Sequence, residues 1–204
     1  MKGVDGMHPE TLLPGLIGFF ILLLLIQLGN LFAVRRFPRK AGDGDGPLPL
    51  VSILVPARNE EKNIGPLLEG LLAQTYGRVE ILVLDDHSTD GTGAVLEEYV
   101  VKSPVLRILK GKTLPEGWYG KHWACHQLAE EARGDWLLFV DADTRHRPEM
   151  LERVMALALE EEVDLLSAFL RQEAGTLGEV LMVPFPVWSV FSFYPFLVGR
   201  FLKC

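Results

Sequence analysis

VSILVPARNEE, residues Val51 to Glu61, changes character at a single point. An apolar, partly β-branched run from Leu50 to Val55 stops at Pro56 and gives way to Arg58, Asn59, Glu60 and Glu61. Such a run is a short buried strand, and the polar stretch is the loop at its carboxyl end. Beyond the loop, Ile64, Leu67, Leu68, Leu71 and Leu72 recur at helical spacing. The alternation then repeats. Strands are expected at Val79–Leu84, Val105–Leu109, Trp136–Val140 and Asp164–Phe169, and helices at Gly93–Lys102, Lys121–Arg133 and Pro148–Glu161. Alternating strands and helices imply a mostly parallel sheet covered on both faces, the α/β class.

In an open parallel sheet, ligands bind beyond the carboxyl ends of the strands. Here those positions read Pro56-Ala57-Arg58-Asn59-Glu60-Glu61, then Asp85-Asp86-His87-Ser88-Thr89-Asp90-Gly91-Thr92, then Asp141-Ala142-Asp143. Ionised carboxylates only accept hydrogen bonds, so Asp85, Asp86 and Asp141 suit the ring N–H and ribose hydroxyls of a nucleoside. A diphosphate beside them would be repelled unless a divalent cation intervened. Magnesium and manganese take hard oxygen ligands, commonly one or two carboxylates plus substrate phosphates. Asp141 and Asp143 stand two apart, and an extended segment would turn both to one face, one toward ribose and one toward metal. Each loop also has a plainer reading, since Ser, Thr and Asp cap helices and acidic residues complement a helix N-terminus. The three together, at successive strand ends, favour the ligand.

VSILVPARNEE, ILVLDDHSTDGT and GDWLLFVDADT resemble the three nucleotide-binding segments of glycosyltransferase family 2, over roughly Leu50 to Phe169. The resemblance implies the GT-A fold, a Rossmann-like, mostly parallel sheet. It implies that Pro56, Ala57, Arg58 and Glu60 line a nucleotide pocket, that Asp85 and Asp86 hold the base, that Asp141 meets the ribose, and that Asp143, with Asp141 beside it, serves the metal, Mg2+ or Mn2+. LPEGWYGKHWACHQLA, Leu114 to Ala129, is further similar to the membrane-bound subgroup with hopene-associated and carotenoid glycosyltransferases, which implies a lipid acceptor. A UDP-sugar is the expected donor, since uracil carries the ring N–H that the carboxylates would accept. Lys121, after Gly120 at an expected helix start, suits a phosphate. His122, Cys125 and His126 on neighbouring turns lack the glutamate and further ligands that a zinc centre needs. In the resembled family the carboxylate base follows in a Glu-Asp pair, with a Gln/Arg-x-x-Arg-Trp motif after it. Neither occurs between Leu170 and Cys204, where Glu173 and Glu179 are the acidic residues. Two expectations follow: an inverting glycosyltransferase, or a shortened chain that binds nucleotide-sugar without turnover.

Other classes fit poorly. A dinucleotide-dependent oxidoreductase wants G-x-G-x-x-G where P-A-R-N-E-E stands, and a P-loop NTPase wants G-x-x-x-x-G-K-[ST]. A net charge of -7 over 204 residues argues against nucleic-acid binding. Cys125 and Cys204 form no framework, which fits a reducing compartment.

The 49% hydrophobic content is concentrated locally. From Leu12 to Val34, LLPGLIGFFILLLLIQLGNLFAV carries no charge and as a helix spans roughly 30 Å, the thickness of bilayer hydrocarbon. It reads as a single-pass anchor within residues 1–40, not as a cleaved signal peptide, since its charged leading region is thin and no small-x-small site precedes Arg35. Arg35, Arg36, Arg39 and Lys40 follow it against Lys2 before it, which puts the catalytic domain on the cytoplasmic side of the cell membrane. A Gly/Asp/Pro linker, residues 41–49, leads to the nucleotide-sugar domain, residues 50–175. Residues 176–204 are apolar and aromatic but interrupted by Pro184, Pro186 and Pro195, which suits a segment lying at the membrane interface.

Overall fold

The computed structural model describes residues 9–33 and 47–196. They form two compact units, one holding the N-terminal helix with the residues from Leu166 onward, the other running from Pro47 to Leu165.

Four strands make the sheet of the second unit: β1 (Val51–Ala57), β2 (Val79–Asp85), β3 (Leu106–Lys110) and β4 (Trp136–Phe139). Their order is β3-β2-β1-β4, and every pairing is parallel. β1 is therefore central, and its register runs Val51↔Val79 to Ala57↔Asp85 on one side and Val51↔Trp136 to Leu54↔Phe139 on the other. Its hydrogen bonds alternate between neighbours: Ala57 O accepts from Asp86 N, while Leu54 O accepts from Val140 N. Pro56, in step with Leu54, thus turns its missing N–H toward the side where β4 has already ended, so the proline costs no ladder bond.

Because β1 is covered on both faces, its run is apolar throughout instead of alternating. Val51, Ile53, Val55 and Ala57 pack with Ile64, Leu67, Leu68 and Leu71 of α2 (Ile64–Leu72), Leu96 of α3 (Thr92–Val100), and Leu151 and Met155 of α5 (Met150–Glu160). Leu54 points the other way and joins Leu82 and Leu84 beneath Ala124 and Leu128 of α4 (Gly120–Glu131). The α/β expectation holds, with helices on both faces. The strand expected at Asp164–Phe169 does not form: among the described residues no strand pairs with it, and Leu165 is 87% exposed.

In the other unit, α1 (Pro9–Ala33) includes a 21-residue apolar stretch, Leu12–Phe32, that is long and apolar enough to cross a membrane. Of the three prolines that interrupt the C-terminal segment, Pro184 and Pro186 stand in the first turn of α7 (Pro184–Phe193), which follows α6 (Leu177–Met182), and Pro195 lies beyond its end. Lys2, Arg35, Arg36, Arg39 and Lys40, on which the orientation rests, lie outside the described residues, as does most of the expected linker.

The sheet's lower edge is laced tightly. Ser52 Oγ donates to Glu80 and accepts from Gly134 N, and Glu80 also accepts from Arg133 N. A Cβ at Gly134 would stand 2.6 Å from Ser52 N and 2.9 Å from Leu50 O, both backbone. We expect Gly134→Ala to force β1 and β4 apart at this end and to destabilise the chain by about 1–3 kcal/mol. Thermal unfolding checks this, and an unchanged midpoint would refute it.

Candidate functional site

The loops after β1, β2 and β4 and the first turn of α4 enclose a cavity of about 310 Å³ at the carboxyl edge of the sheet. Pro56, Ala57, Arg58 and Glu60 supply one wall, Asp86 the next, and Asp141, Ala142 and Asp143 the third. Gly120, Lys121 and Ala124 of α4 close it.

Two loops fix the rim by bonding to each other. Asn59 N donates to Ser88 Oγ, Thr89 N donates to Asn59 Oδ1, and Glu60 N donates to Thr92 Oγ1. Glu61 N donates to Asp90, and Gly91 N donates to the Glu61 carboxylate. Asn59 and His87 reverse the chain in left-handed conformations, at φ 56° and 57°. The second loop does not cap α3 with a side chain: its N-cap is Gly91, and Asp90 before it accepts from Thr92 N in an Asx turn.

Asp85 and Asp86, paired in the sequence reading, have separate environments. Asp85 is 5% exposed and does not line the cavity. One of its oxygens accepts from Ser88 N at 3.0 Å and the other from Lys110 Nζ at 2.8 Å. Burial pushes its carboxyl up, but the bonds from Lys110 and Ser88 and the lysine charge outweigh that and hold it below the ordinary carboxylate value. Asp86 does line the cavity, with Arg58 Nη1 4.0 Å from its Oδ2. Alternation across the end of β2 produces the split, one carboxylate turning under the sheet edge and the next over it.

Asp141 and Asp143 both line the cavity, though not through the extended geometry that their spacing suggested. β4 ends at Phe139, and the pair sits in a turn closed by Thr144, whose N and Oγ1 donate to Asp141 O at 3.2 and 2.7 Å. Ala142 between them is buried while both carboxylates face outward. Lys121 Nζ lies 2.6 Å from Asp141 Oδ1, a bond that raises the lysine pKa against the opposing effect of desolvation, with the Asp143 charge adding to the rise.

Two carboxylates on one turn supply hard oxygen donors, the set a magnesium or manganese ion completes with phosphate oxygens. No group of three His, Cys, Asp or Glu poised around one metal occurs among the described residues. His122 instead meets Tyr119 edge-on, and His126 lies tilted against Trp118 and Trp123, with Glu130 3.6 Å from its ring nitrogen.

Sequence reasoning missed Lys110 and Gly111. Lys110 pairs in register with Asp85 across β2 and β3, a neighbour visible only once the strand order is known. A Cβ at Gly111 would come within 2.8 Å of Asp86 Oδ1 and 3.2 Å of Asp86 Cα, so a glycine here lets β3 run out beneath the cavity carboxylate.

Residues 52–191 match the family model described as Glycosyl transferase family 2. A beta-monoglucosyldiacylglycerol synthase of Nostoc sp. is 31% identical over 180 residues, 85% of this chain and 38% of that protein. A 4,4'-diaponeurosporenoate glycosyltransferase of Staphylococcus aureus is 36% identical over 124 residues, 60% of this chain and 32% of that one. The chain thus spans well under half the length of these relatives. Among solved structures, S. aureus TarS 1-349 in complex with UDP-GlcNAc superposes with a TM-score of 0.50 at 28% identity, covering 60% of this chain and 37% of that one. The mannosyltransferase PcManGT of Pyrobaculum calidifontis, solved with GDP-Man and Mn2+, gives 0.56 at 24% identity over 69% and 41%, a likeness of fold. With the family model covering the sheet, the three loops and the cavity, the chain belongs to glycosyltransferase family 2.

Proposed function

We propose that the chain transfers a sugar from a nucleotide diphosphate donor, of the UDP class, to a lipid-type acceptor at the cytosolic face of a membrane, with inversion at the anomeric carbon. The observation that carries this is the meeting of Asp86, Lys121, Asp141 and Asp143 on one cavity at the carboxyl ends of the strands. Asp86 accepts the base's ring N–H, and Asp85 keeps the loop beneath it in place. Asp141 accepts from the ribose. Lys121 leaves Asp141 for the diphosphate, whose negative charge is the stronger partner. Asp143, with Asp141 beside it, would hold a magnesium or manganese ion that neutralises the departing diphosphate. The sugar then projects beyond the cavity, where an acceptor hydroxyl attacks opposite the leaving group and a carboxylate base takes its proton.

Support for a UDP donor is the UDP-GlcNAc complex of TarS 1-349. Support for a lipid-type acceptor is the pair of relatives named for diacylglycerol and diaponeurosporenoate, together with α1, which we read as a membrane anchor.

A second reading, donor binding without transfer, draws on Glu179. Its carboxylate accepts from Gly175 N at 2.7 Å and Thr176 N at 3.0 Å in the capping box of α6. Those backbone bonds hold its pKa down, the opposite of what a general base near neutrality needs. Release of free sugar or glycosylated lipid by the purified chain excludes this second reading.

Calorimetric titration with UDP, with and without Mn2+, tests the donor site. Asp143→Ala is expected to weaken metal-dependent UDP binding tenfold or more, about 1.4 kcal/mol. Undiminished affinity would count against the metal role. Lys121→Met should weaken UDP while leaving uridine unchanged, because uridine carries no phosphate; equal losses for both would overturn the phosphate assignment. Gly111→Ala should weaken uridine and UDP alike by displacing Asp86, and a loss confined to UDP would contradict that placement.

A further inference from the structure

Polar side chains inside an apolar membrane helix are costly unless they find partners there. The apolar stretch Leu12–Phe32 of α1 carries two, Gln27 and Asn30, one turn apart on the same face. Both are matched to α7 and the turn after it. Gln27 Nε2 donates to Ser192 Oγ at 2.9 Å. Asn30 Nδ2 donates to the carbonyls of Phe191 (2.8 Å) and Tyr194 (2.7 Å), while its Oδ1 accepts from Phe196 N at 2.9 Å. Asn30 and Ser192 are buried, at 1% and 0% exposure. The Asn30 amide meets the Phe191 carbonyl at the end of α7 and reinforces the turn after it, where Phe196 N also donates to Tyr194 O at 3.1 Å.

These bonds set a depth. Gln27 and Asn30 belong to the last two turns of the apolar stretch Leu12–Phe32, at most about 8 Å along the helix from its end. If α1 crosses the bilayer, the end of α7 lies inside the hydrocarbon near one interface. The surface of the two short helices agrees, with Leu177, Leu181, Met182 and Phe185 all more than half exposed. So large an apolar surface is unusual against water and ordinary against lipid.

Within this unit a groove of about 390 Å³ lies between the segment at Leu170 and Gln172 and the face of α7 with Val183, Val187, Trp188 and Phe191. Gln172 is the polar member of that wall. An apolar groove at this depth is poorly suited to water, which needs two or more polar partners. The surrounding solvent is alkyl chain, continuous with the lipid-facing surface of α1. We propose that this groove takes one alkyl chain of a membrane lipid, with the Gln172 amide toward its polar end and Asn30 holding the α7 wall in place. The proposal rests on our reading of α1 as a membrane span, and not on glycosyl transfer.

The test uses the full chain in detergent micelles, titrated with phosphatidylcholine brominated in its acyl chains, a contact quencher of tryptophan. The emission difference between wild type and Trp188→Phe isolates Trp188. We expect that difference to be lost in a saturable, stoichiometric way. Saturation should disappear when Val187→Phe, or Val183→Phe from another position on the wall, fills the groove, and when Asn30→Leu releases α7. Quenching that rises in simple proportion to the brominated fraction, or that survives all three substitutions, reports bulk lipid contact and overturns the groove. No quenching overturns both the groove and its depth. Because this readout needs no donor, failure of UDP binding or of transfer leaves it untouched, and the two readings fail separately.

Discussion

The loop after β1 and the loop after β2 are tied to each other, and the cavity depends on that tie. Asn59 exchanges bonds with Ser88 and Thr89, Glu60 N is held by Thr92, and Glu61 is engaged by Asp90 and Gly91. The left-handed backbone at Asn59 and His87 costs energy that these reciprocal bonds offset. Asn59 tolerates that conformation well because its short amide bonds locally. Where the strands end, Ala57 O already takes Asp86 N, and the lacing carries that tie outward along both loops, which fixes the approach of Arg58 to Asp86.

Burial decides which of the charged groups are fixed and which can exchange partners. Asp85 is nearly enclosed while Lys110 keeps 73% of its side chain in solvent, so separating them would leave a desolvated carboxylate with the Ser88 N–H bond alone. Lys121 and Asp141 keep 64% and 56% of their side chains in solvent, and a pair so exposed is worth roughly 0–1 kcal/mol. The first pair therefore maintains shape. The second can open for a ligand that offers more. Similar chemistry at two strand ends serves opposite purposes because water reaches both members of the second pair but only the lysine of the first.

The other unit follows the same logic in an apolar setting. Asn30 satisfies the end of α7 where few other donors or acceptors are at hand, and Gln27 and Ser192 pair beside it. The ring contacts of Phe191 with Phe169 and Phe196 extend the packing around that polar knot. Shape here is held by a few directional bonds among otherwise non-directional contacts.

Much of this was legible in the residues. The run Leu50–Val55 and its alternation with amphipathic helices identify a parallel sheet, because side-chain direction along a strand or helix is a local property of the chain; the expected stop at Pro56 is wrong, since β1 continues to Ala57 in register with Asp85. The polar loops at Asp85–Thr92 and Asp141–Asp143 stand out for the same reason. Only the tertiary structure decided that Asp85 turns under the sheet to Lys110 while Asp86 faces the cavity, that Asp141 and Asp143 share it through a turn, and that Asp164–Phe169 finds no strand to join. It alone also joined Asn30 to Phe196 across 166 positions of sequence. Periodicity specifies what each segment is; which segments meet depends on strand order, register and burial, which arise when distant parts of the chain compete for the same partners.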